Sequence, residues 1–386
     1  MKELIATIYR ALLSPSMRFK LRMANAWLRE KFDRARIWHW ECVTLSRHRG
    51  RPYDFFYLGR KSRRELALKL LEANNDVGAN GVSENMPLET IYISDIPFLG
   101  ALRIPSYMNA VVPLGRSIEE ITANYGENLR RLLRNRKSHY RIQQLLDINE
   151  IIRAEQEMLR PFAIARHGAG AAQLTPDEVQ RIALKAGRLD LVYFDDQVVA
   201  CHLGFEFTRN NKRYWAALRF GYPENVFTDP KRLEEVNTIN CHLALEWAIQ
   251  NGYDFYDIGG CFARPEDGLL QWKKRRGAAV DVIGNFGHFY VKLPKNGAAR
   301  FLWDSPLFSV EQSSLALHLG LPEGPSDKDI ATHYSQMGFC GLSTIYLHCE
   351  HFPSKDILER LHGLFNHQVL SPPNVRVIQA SADRVS

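Results

Sequence analysis

An acid and two glycines close a stretch of alternating residues in the segment YDFYDIGGCF, residues 253–262. Alternation of apolar and polar residues predicts a strand over 253–258, with Asp257 at its end. A carboxylate there can orient an amine or accept a proton through water, or it can bond the backbone N–H groups of the following turn. Gly259 and Gly260 suit a tight exit from the strand and the close approach of a ligand. Asp257 is therefore a candidate catalytic residue.

The periodicity of the predicted strands and helices places further polar side chains on shared faces. Residues 197–207 are predicted as a strand on which His202 and Glu206 share a face, and Glu206 is a candidate general base. Asn237 and Asn240 stand three apart in a predicted helix and therefore share a face. Because Asn is a poor helix former, this pair indicates either a substrate contact or a buried polar network.

A helix predicted over 117–145 carries a row of cations. Ser117 and Glu120 form the pattern of a capping box at its start. At about 100° per residue, four basic side chains stack along a face distinct from the apolar one: Arg130, Arg134, Lys137 and Arg141. Four like charges with no acid between them repel one another. The row indicates a surface that faces an anion or, alternatively, a solvated face.

The charge of the whole chain is also uneven. Its 386 residues carry a net charge of +7, and 45% hydrophobic with 24% charged residues is typical of a globular protein. Residues 1–64 hold 16 Lys/Arg and 5 Asp/Glu, which gives that segment +11 and the remainder −4. A basic end of this kind indicates a phosphate-rich donor, RNA or a lipid surface as partner, or else a solvated basic arm.

Several classes of protein are disfavoured. The six cysteines are scattered and form no CxxC pair, which argues against a disulfide framework and a zinc ribbon. His348 and His351 would point to opposite faces of a strand, so no metal is expected.

No apolar run reaches the roughly 18 residues that span a bilayer, and no secretory signal is recognised. The sequence predicts a cytoplasmic protein. Residues 1–13 predict a helix that packs on its own domain or makes peripheral contact with the inner membrane surface.

Four consecutive segments must position these residues. Residues 1–39 are predicted as a basic helical N-terminal segment, and residues 40–180 as a first half that contains helix 117–145. Residues 186–295 hold an antiparallel meander, a crossover helix and a strand parallel to the last strand of the meander. Residues 296–386 follow as an α/β extension of unknown role with a strand–helix–strand pattern.

Three stretches in this order resemble the Fem-type and CelD-like acyltransferases of the GNAT superfamily. They are NLRRLLRNRK (128–137), NTINCHLALEWAIQNGYDFYDIGG (237–260) and DGLLQWKKRRGA (267–278). The resemblance covers about residues 107–293 of the chain. It implies an α/β (α+β) fold, the GNAT acyl-CoA N-acyltransferase fold, with two tandem GNAT-like halves and mixed sheets. Residues 40–180 would be the degenerate half and 186–295 the catalytic half.

The resemblance implies an N-acyltransferase that moves an acyl group from acyl-CoA to an amine on a sugar, peptide or small metabolite. The site would lie where strands 213–220 and 253–258 splay apart. Lys273 matches a family lysine that faces the donor phosphate or carbonyl. The residue patterns themselves add the candidates for donor or substrate binding, namely Asn237 with Asn240, Gly259 with Gly260, and the basic row. Residues 274–276 would be a solvated rim.

One departure keeps the donor open. Residues 219–235 contain a single glycine, Gly221, where acetyl-CoA enzymes of this superfamily have a glycine-rich pyrophosphate cradle. The alternative is therefore an aminoacyl-tRNA-dependent transferase, whose RNA would bind residues 1–64 and the basic row. A third hypothesis from another class is a non-catalytic protein that binds an anionic lipid or an envelope polymer.

Overall fold

The computed structural model describes residues 15–45, 53–71, 89–168, 174–281, 287–294, 297–366 and 372–379. The helix predicted within residues 1–13 lies outside these ranges. The α-helices are α1 Pro15–Ala35, α2 Arg64–Leu71, α3 Ile118–Ala123, α4 Glu127–Arg136, α5 Ile148–Ala154, α6 Arg160–His167, α7 Pro176–Arg181, α8 Glu224–Phe227, α9 Pro230–Gln250, α10 Gly268–Lys274, α11 Ala298–Asp304, α12 Asp327–Tyr334 and α13 Lys355–Asn366.

The strands of the described ranges are β1 Trp40–Leu45, β2 Tyr53–Arg60, β3 Glu89–Ser94, β4 Leu102–Pro105, β5 Tyr107–Pro113, β6 Tyr140–Gln144, β7 Gly187–Phe194, β8 Gln197–Arg209, β9 Lys212–Gly221, β10 Phe255–Phe262, β11 Ala279–Asp281, β12 His288–Lys292, β13 Leu307–Glu311, β14 Ser314–Leu321, β15 Leu342–Cys349 and β16 Asn374–Gln379. They form sheets of order β1-β2-β3-β12-β4, β11-β5-β10-β9-β8-β7-β6 and β13-β14-β15-β16. Each sheet mixes parallel and antiparallel neighbours, which confirms the predicted α/β class with mixed sheets.

The chain divides into two compact units, each assembled from separate segments. Of the described residues, unit 1 contains 15–22, 111–168, 174–259 and 275–278, and unit 2 contains the rest. Helix α1 and strands β5 and β10 run from one unit into the other. The four consecutive segments predicted from the sequence remain a prediction, since a unit assembled from distant segments is a different kind of division.

Unit 1 holds the predicted meander β7–β8–β9, whose antiparallel pairing is confirmed. Its turns place Asp195 at φ 50° and Asn211 at φ 59°, the left-handed region that short polar side chains tolerate. Gly204 on β8 is required by packing, because a Cβ there would lie 2.4 Å from Cζ2 of Trp215 on β9. The sequence thus gives the meander both its turns and the gap that admits an indole ring.

Helix α9 carries the chain from β9 to β10. The Asp229 carboxylate caps its start by accepting from the N–H groups of Lys231 and Arg232, and Gly252 ends it at φ 69°. Most of its middle, from Val236 to Ala248, is buried. The chain returns as β10, parallel to β9, as predicted for a crossover connection.

The helix predicted over 117–145 is wrong beyond residue 136. The segment breaks into α3, α4, a single 3₁₀ turn at Lys137–His139, and strand β6. The reason is nonlocal: Tyr140 pairs with Phe194 and Gln144 with Asp190 on β7, so sheet pairing overrides the helical period. Arg141 therefore lies on a strand and Lys137 on the 3₁₀ turn, off the face that α4 presents.

An antiparallel pair, a helix and a parallel strand occur three times in succession along the chain. The first set is β1–β2–α2–β3, the second β8–β9–α9–β10 and the third β13–β14–α12–β15. The first two agree with the expected tandem halves. The third lies in the C-terminal extension, which adds α13 and a further parallel strand, β16.

Candidate active site

The parallel pair of β9 and β10 is short. Its register matches Phe255 with Tyr214, Tyr256 with Trp215 and Asp257 with Ala216, while β9 itself continues to Gly221. On the other side of β9, Gly204 pairs with Ala217 but Leu203 with Arg219, so Leu218 is an extra residue in β9. Such a bulge bends its strand and increases the local twist. The β9–β10 register therefore ends at the level where β9 bulges.

Asp257 is the last residue of that register. Its Oδ1 accepts a 2.8 Å hydrogen bond from the N–H of Gly259, and only 8% of the residue is exposed. Gly259 has φ 80°, and a Cβ built there would meet no atom within 4 Å. The turn-capping role considered for Asp257 is thus present. Its chemical role remains a prediction. The predicted end of the strand at residue 258 is wrong, because β10 continues through Gly259 and Gly260 to Phe262, where it pairs with β5.

The predicted asparagine pair belongs to a buried polar cluster of unit 1. Asn237 Oδ1 accepts from the Tyr222 hydroxyl at 2.7 Å and lies 3.7 Å from Cys241 Sγ. Asn240 is 1% exposed, and its Nδ2 donates to the Cys201 carbonyl at 3.4 Å. Of the two roles considered from the sequence, the buried polar network is the one that these contacts match.

Three buried polar atoms of this cluster have no hydrogen-bond partner among the described residues: Asn240 Oδ1, Tyr256 OH and His202 Nε2. The His202 and Tyr256 rings approach edge to face at 6.4 Å. Burial lowers the pKa of His202 to about 3 and raises that of Tyr256 well above its usual value. Both side chains are therefore neutral near pH 7. Buried polar groups are almost always paired, so these atoms mark a place for water or a ligand.

Arg276 was missed by the sequence reading. The predicted rim is wrong for this residue, which is 6% exposed and donates from Nη2 to Thr238 Oγ1 on α9 at 2.8 Å. Burial lowers its pKa, while Cys241 and Tyr125 oppose that shift. In the sequence, the glycine that follows could have indicated a turn at this point. Gly277 has φ 77° and turns the chain immediately after the arginine. A cation is thus held against the helix face next to Asn237.

Lys273 is described within unit 2. It is 2% exposed, and its Nζ donates to the Gly260 carbonyl of β10 at 2.8 Å. Gly260 itself is exposed. Lys274 is not solvated rim either: its Nζ donates to the Gln336 carbonyl at 2.7 Å, and burial lowers its pKa to about 8. Arg275 is exposed, as predicted. The donor-facing role of Lys273 remains a prediction.

Glu206 lies with a different group of side chains. Its Oε2 accepts from Arg213 at 3.0 Å and from the Tyr253 hydroxyl at 2.8 Å. Glu206 is in register with Trp215, and Trp215 with Tyr256, so Glu206 shares the face of Tyr256. Asp257, the next residue of β10, points to the other face of the sheet. The structure does not bring the two predicted acids together.

The predicted basic row has acidic partners that the sequence reading did not include. Arg130 and Arg134 both pair with Glu127, at 2.7 and 2.8 Å. Lys137 pairs with Glu246 of α9, and Arg141 lies 3.8 Å from Asp196 and over the Tyr193 ring. The self-repulsion argument is therefore wrong. On α4, Arg134 is exposed and Arg130 is half-buried, and the binding role of the row stays a prediction.

Of the two histidines considered for a metal, His351 is exposed, whereas His348 contacts another histidine. His348 Nε2 lies 2.9 Å from His318 Nδ1, and His318 Nε2 lies 2.9 Å from Ser309 Oγ. Across the described ranges, no group of three or more His, Cys, Asp or Glu side chains could hold a metal ion. The histidine contact is a buried polar chain that links three strands of the C-terminal sheet.

Comparison with known proteins gives likenesses of structure. No protein-family model matches the chain, and no curated protein matches it. The C-terminal domain of a putative lysylphosphatidylglycerol synthetase from Agrobacterium fabrum is 12% identical, with 68% of this chain and 84% of that chain covered and a TM-score of 0.33. L-PGS from Bacillus licheniformis is 13% identical over 66% and 80%, with a TM-score of 0.34. FemX is 14% identical over 68% and 90%, with a TM-score of 0.36.

Proposed function

We propose that the chain is an N-acyltransferase whose reaction centre lies at the end of the β9–β10 pair in unit 1. The observation that carries the proposal is the end of the paired register at Asp257 and Ala216, level with the bulge at Leu218. Two parallel strands that separate leave backbone N–H groups between them. Such groups can hold the carbonyl oxygen of an acyl donor and stabilise the oxyanion that develops on it.

The side chains beside this gap fit two roles that the reaction needs, a hydrogen-bond donor to the leaving group and a proton acceptor for the amine. Tyr256 and Asp257 are neighbours on β10 and point to opposite faces of the sheet. The Tyr256 phenol can donate a hydrogen bond to the leaving group, because burial raises its pKa and keeps it protonated near pH 7. The Asp257 carboxylate can orient the acceptor amine and take its proton through water. Donor and acceptor would then approach from opposite faces.

In the proposed reaction the amine nitrogen attacks the donor carbonyl carbon. The C–N bond forms, the bond from that carbon to the leaving sulfur or oxygen breaks, and the leaving group takes up a proton. Our first candidate donor is an acyl thioester, acyl-CoA. The acceptor class is an amine on a sugar, peptide or small metabolite.

One observation favours the second donor, an aminoacyl-tRNA. The Asp229 carboxylate already occupies the N–H groups of Lys231 and Arg232 at the start of α9. A helix start filled by a carboxylate is a poor site for the pyrophosphate of CoA. An aminoacyl ester needs no pyrophosphate site there, and the exposed Arg134 with the half-buried Arg130 could meet RNA phosphates.

A donor screen tests the proposal and separates the two donors. The full chain is titrated with acyl-CoAs and with aminoacylated tRNAs, and both thermal stabilisation and transfer of labelled acyl groups to amines are measured. Stabilisation by acyl-CoA supports the first donor, and a salt-sensitive shift with tRNA supports the second. If neither donor stabilises the chain and no label is transferred, the proposal is rejected.

A matched pair of variants locates the reaction. Asp257→Asn should lower kcat by at least about 100-fold, the usual size of a general-base contribution. Asp254→Asn is the control, because Asp254 precedes the same strand and is occupied by Lys212 and by the N–H of Arg213. Equal activity of the two variants would exclude Asp257 from the chemistry.

A further inference from the structure

The second half of helix α1 is attached to unit 2 through charged side chains. Glu30 accepts from Arg60 at 2.9 Å and lies 3.6 Å from Arg63. Arg34, one turn later, pairs with Glu30 at 3.0 Å and donates to the His288 carbonyl at 3.2 Å. The face of α1 that meets unit 2 is therefore polar.

The outward face of the same helix is apolar. Residues two positions apart are about 200° apart around a helix, so Leu28 lies nearly opposite Glu30, and Phe32 nearly opposite Arg34. Leu28 is 57% exposed and Phe32 63% exposed. A surface helix normally buries its apolar stripe and turns its charges to water, and α1 does the reverse.

The apolar surface continues past the end of the helix. Ile37 and Trp38, in the short turn before β1, are 71% and 73% exposed, and Trp27 is 47% exposed. We name these five side chains the α1 patch: Trp27, Leu28, Phe32, Ile37 and Trp38. Exposed large apolar residues that cluster in this way mark an interaction surface.

Basic side chains border the α1 patch. Arg29 and Lys31 are exposed beside it. The Lys31 ammonium lies 5.7 Å from the Trp27 ring, and the Arg36 guanidinium lies 4.7 Å from the Phe32 ring. An apolar stripe with tryptophan, bordered by Lys and Arg, is the pattern of a helix that lies in the headgroup region of an anionic bilayer.

We propose that the α1 patch docks unit 2 on an anionic lipid surface, with Leu28, Phe32 and Trp38 inserted among the acyl chains and Arg29 and Lys31 at the lipid phosphates. No helix in the part of the chain that the structure describes is both long and apolar enough to cross a bilayer. The proposed contact is accordingly peripheral and depends on both the apolar and the charged side chains.

Vesicle binding of the full chain tests the proposal. Vesicles of phosphatidylcholine with about 30% phosphatidylglycerol, whose surface potential is negative, are compared with pure phosphatidylcholine. The protein should sediment with the anionic vesicles and at least tenfold less with the neutral ones. Tryptophan emission should shift to the blue on binding, and Trp27→Phe/Trp38→Phe should remove most of that shift. Absence of binding to anionic vesicles would overturn the proposal.

Matched variants identify the patch. Leu28→Ser/Phe32→Ser should weaken binding at least tenfold, and Arg29→Gln/Lys31→Gln should weaken it only on anionic vesicles. The control is Leu99→Ser/Phe352→Ser, because these two residues of unit 2 are 94% and 66% exposed but lie outside α1. Loss of binding in this control, or in Ile5→Ser/Ile8→Ser but not in the patch variant, would place the contact elsewhere.

A second copy of the chain is the competing occupant of the patch. Sedimentation velocity without lipid distinguishes it: a dimer that Leu28→Ser/Phe32→Ser converts to a monomer would assign the patch to self-association and overturn the lipid proposal. A species whose mass is unchanged by that substitution, together with lost vesicle binding, supports the proposal.

Discussion

The Lys273 ammonium donates a 2.8 Å hydrogen bond to the Gly260 carbonyl, so a buried cation is held on the strand that also carries Asp257. This bond crosses from α10 back to the C-terminal half of β10. It adds a charged hydrogen bond to the sheet pairing that β10 makes with its neighbour β5. The variants below separate its structural role from its proposed donor role.

Lys273→Met should affect both stability and transfer. The variant leaves the Gly260 carbonyl without its donor, which should lower the free energy of unfolding by about 1–3 kcal/mol. If Lys273 also faces the donor, transfer per folded molecule should fall at least tenfold. Arg275→Met is the control, because Arg275 is exposed on the same segment. Full turnover in Lys273→Met would reject the donor role and leave the structural one.

The two glycines after Asp257 should respond differently to alanine. Gly259 has φ 80°, so Gly259→Ala should lower the free energy of unfolding by about 1–2 kcal/mol through backbone strain alone. Gly260 lies outside the left-handed region, and the nearest atom to an added Cβ is 3.7 Å away. Gly260→Ala should therefore change stability by less than about 0.5 kcal/mol. Equal effects in denaturant unfolding would contradict this account of the turn.

A clash in the meander should be relieved by a second substitution. Gly204→Ala places a Cβ 2.4 Å from the Trp215 ring and should cost about 1–3 kcal/mol of stability through overpacking. Adding Trp215→Phe replaces the bicyclic indole by a single ring and removes Cζ2, so the double variant should be more stable than the sum of the two single effects predicts. Additive effects in a double-mutant cycle would show that the close approach does not limit packing.

Acid should destabilise the C-terminal sheet through its buried histidines. Burial lowers the pKa of His318 to about 3 and that of His348 to about 4. In the unfolded chain histidine titrates near 6.5, so between these values the unfolded state binds more protons and stability rises with pH. Lowering the pH from 7 to 5 should cost about 2 kcal/mol for each such histidine.

Chemical denaturation at several pH values checks this sign. His318→Asn should reduce the slope of stability against pH below 6.5, whereas His351→Asn, at an exposed position, should leave it unchanged. A slope that is the same in all three proteins would mean that other groups dominate the acid response.

Local sequence signals were sufficient to predict the meander, helix α9 with its Asp229 cap and the parallel orientation of β10. Each depends on turn residues, caps or period within a few positions. The prediction of one helix over 117–145 failed because β6 is stabilised by pairing with β7, and a local pattern contains no information about that pairing. The acidic partner of Lys137 could not be predicted for a similar reason, since Glu246 lies on α9, far away in sequence.

The buried state of Arg276 could not be predicted from its run of four basic residues. Such a run is usually solvated, and only the contact with Thr238 shows that one member points inward. For Asn237 and Asn240 the sequence left a substrate contact or a buried polar network open, and their binding role stays a prediction. Their hydrogen-bond partners, Tyr222 and the Cys201 carbonyl, lie on or next to other elements, which helix periodicity does not contain.

Strand β12 sits between β3 and β4, pairing Tyr290 with both Ser94 and Arg103. Chain segments this far apart must come together before their pairing gives any stability. We therefore expect the sheet β1-β2-β3-β12-β4 to form late and slowly. During synthesis, β3 and β4 lack their partner β12 until residue 292 has left the ribosome. Until then their edges are unpaired, and we expect the nascent chain to be most prone to aggregation there.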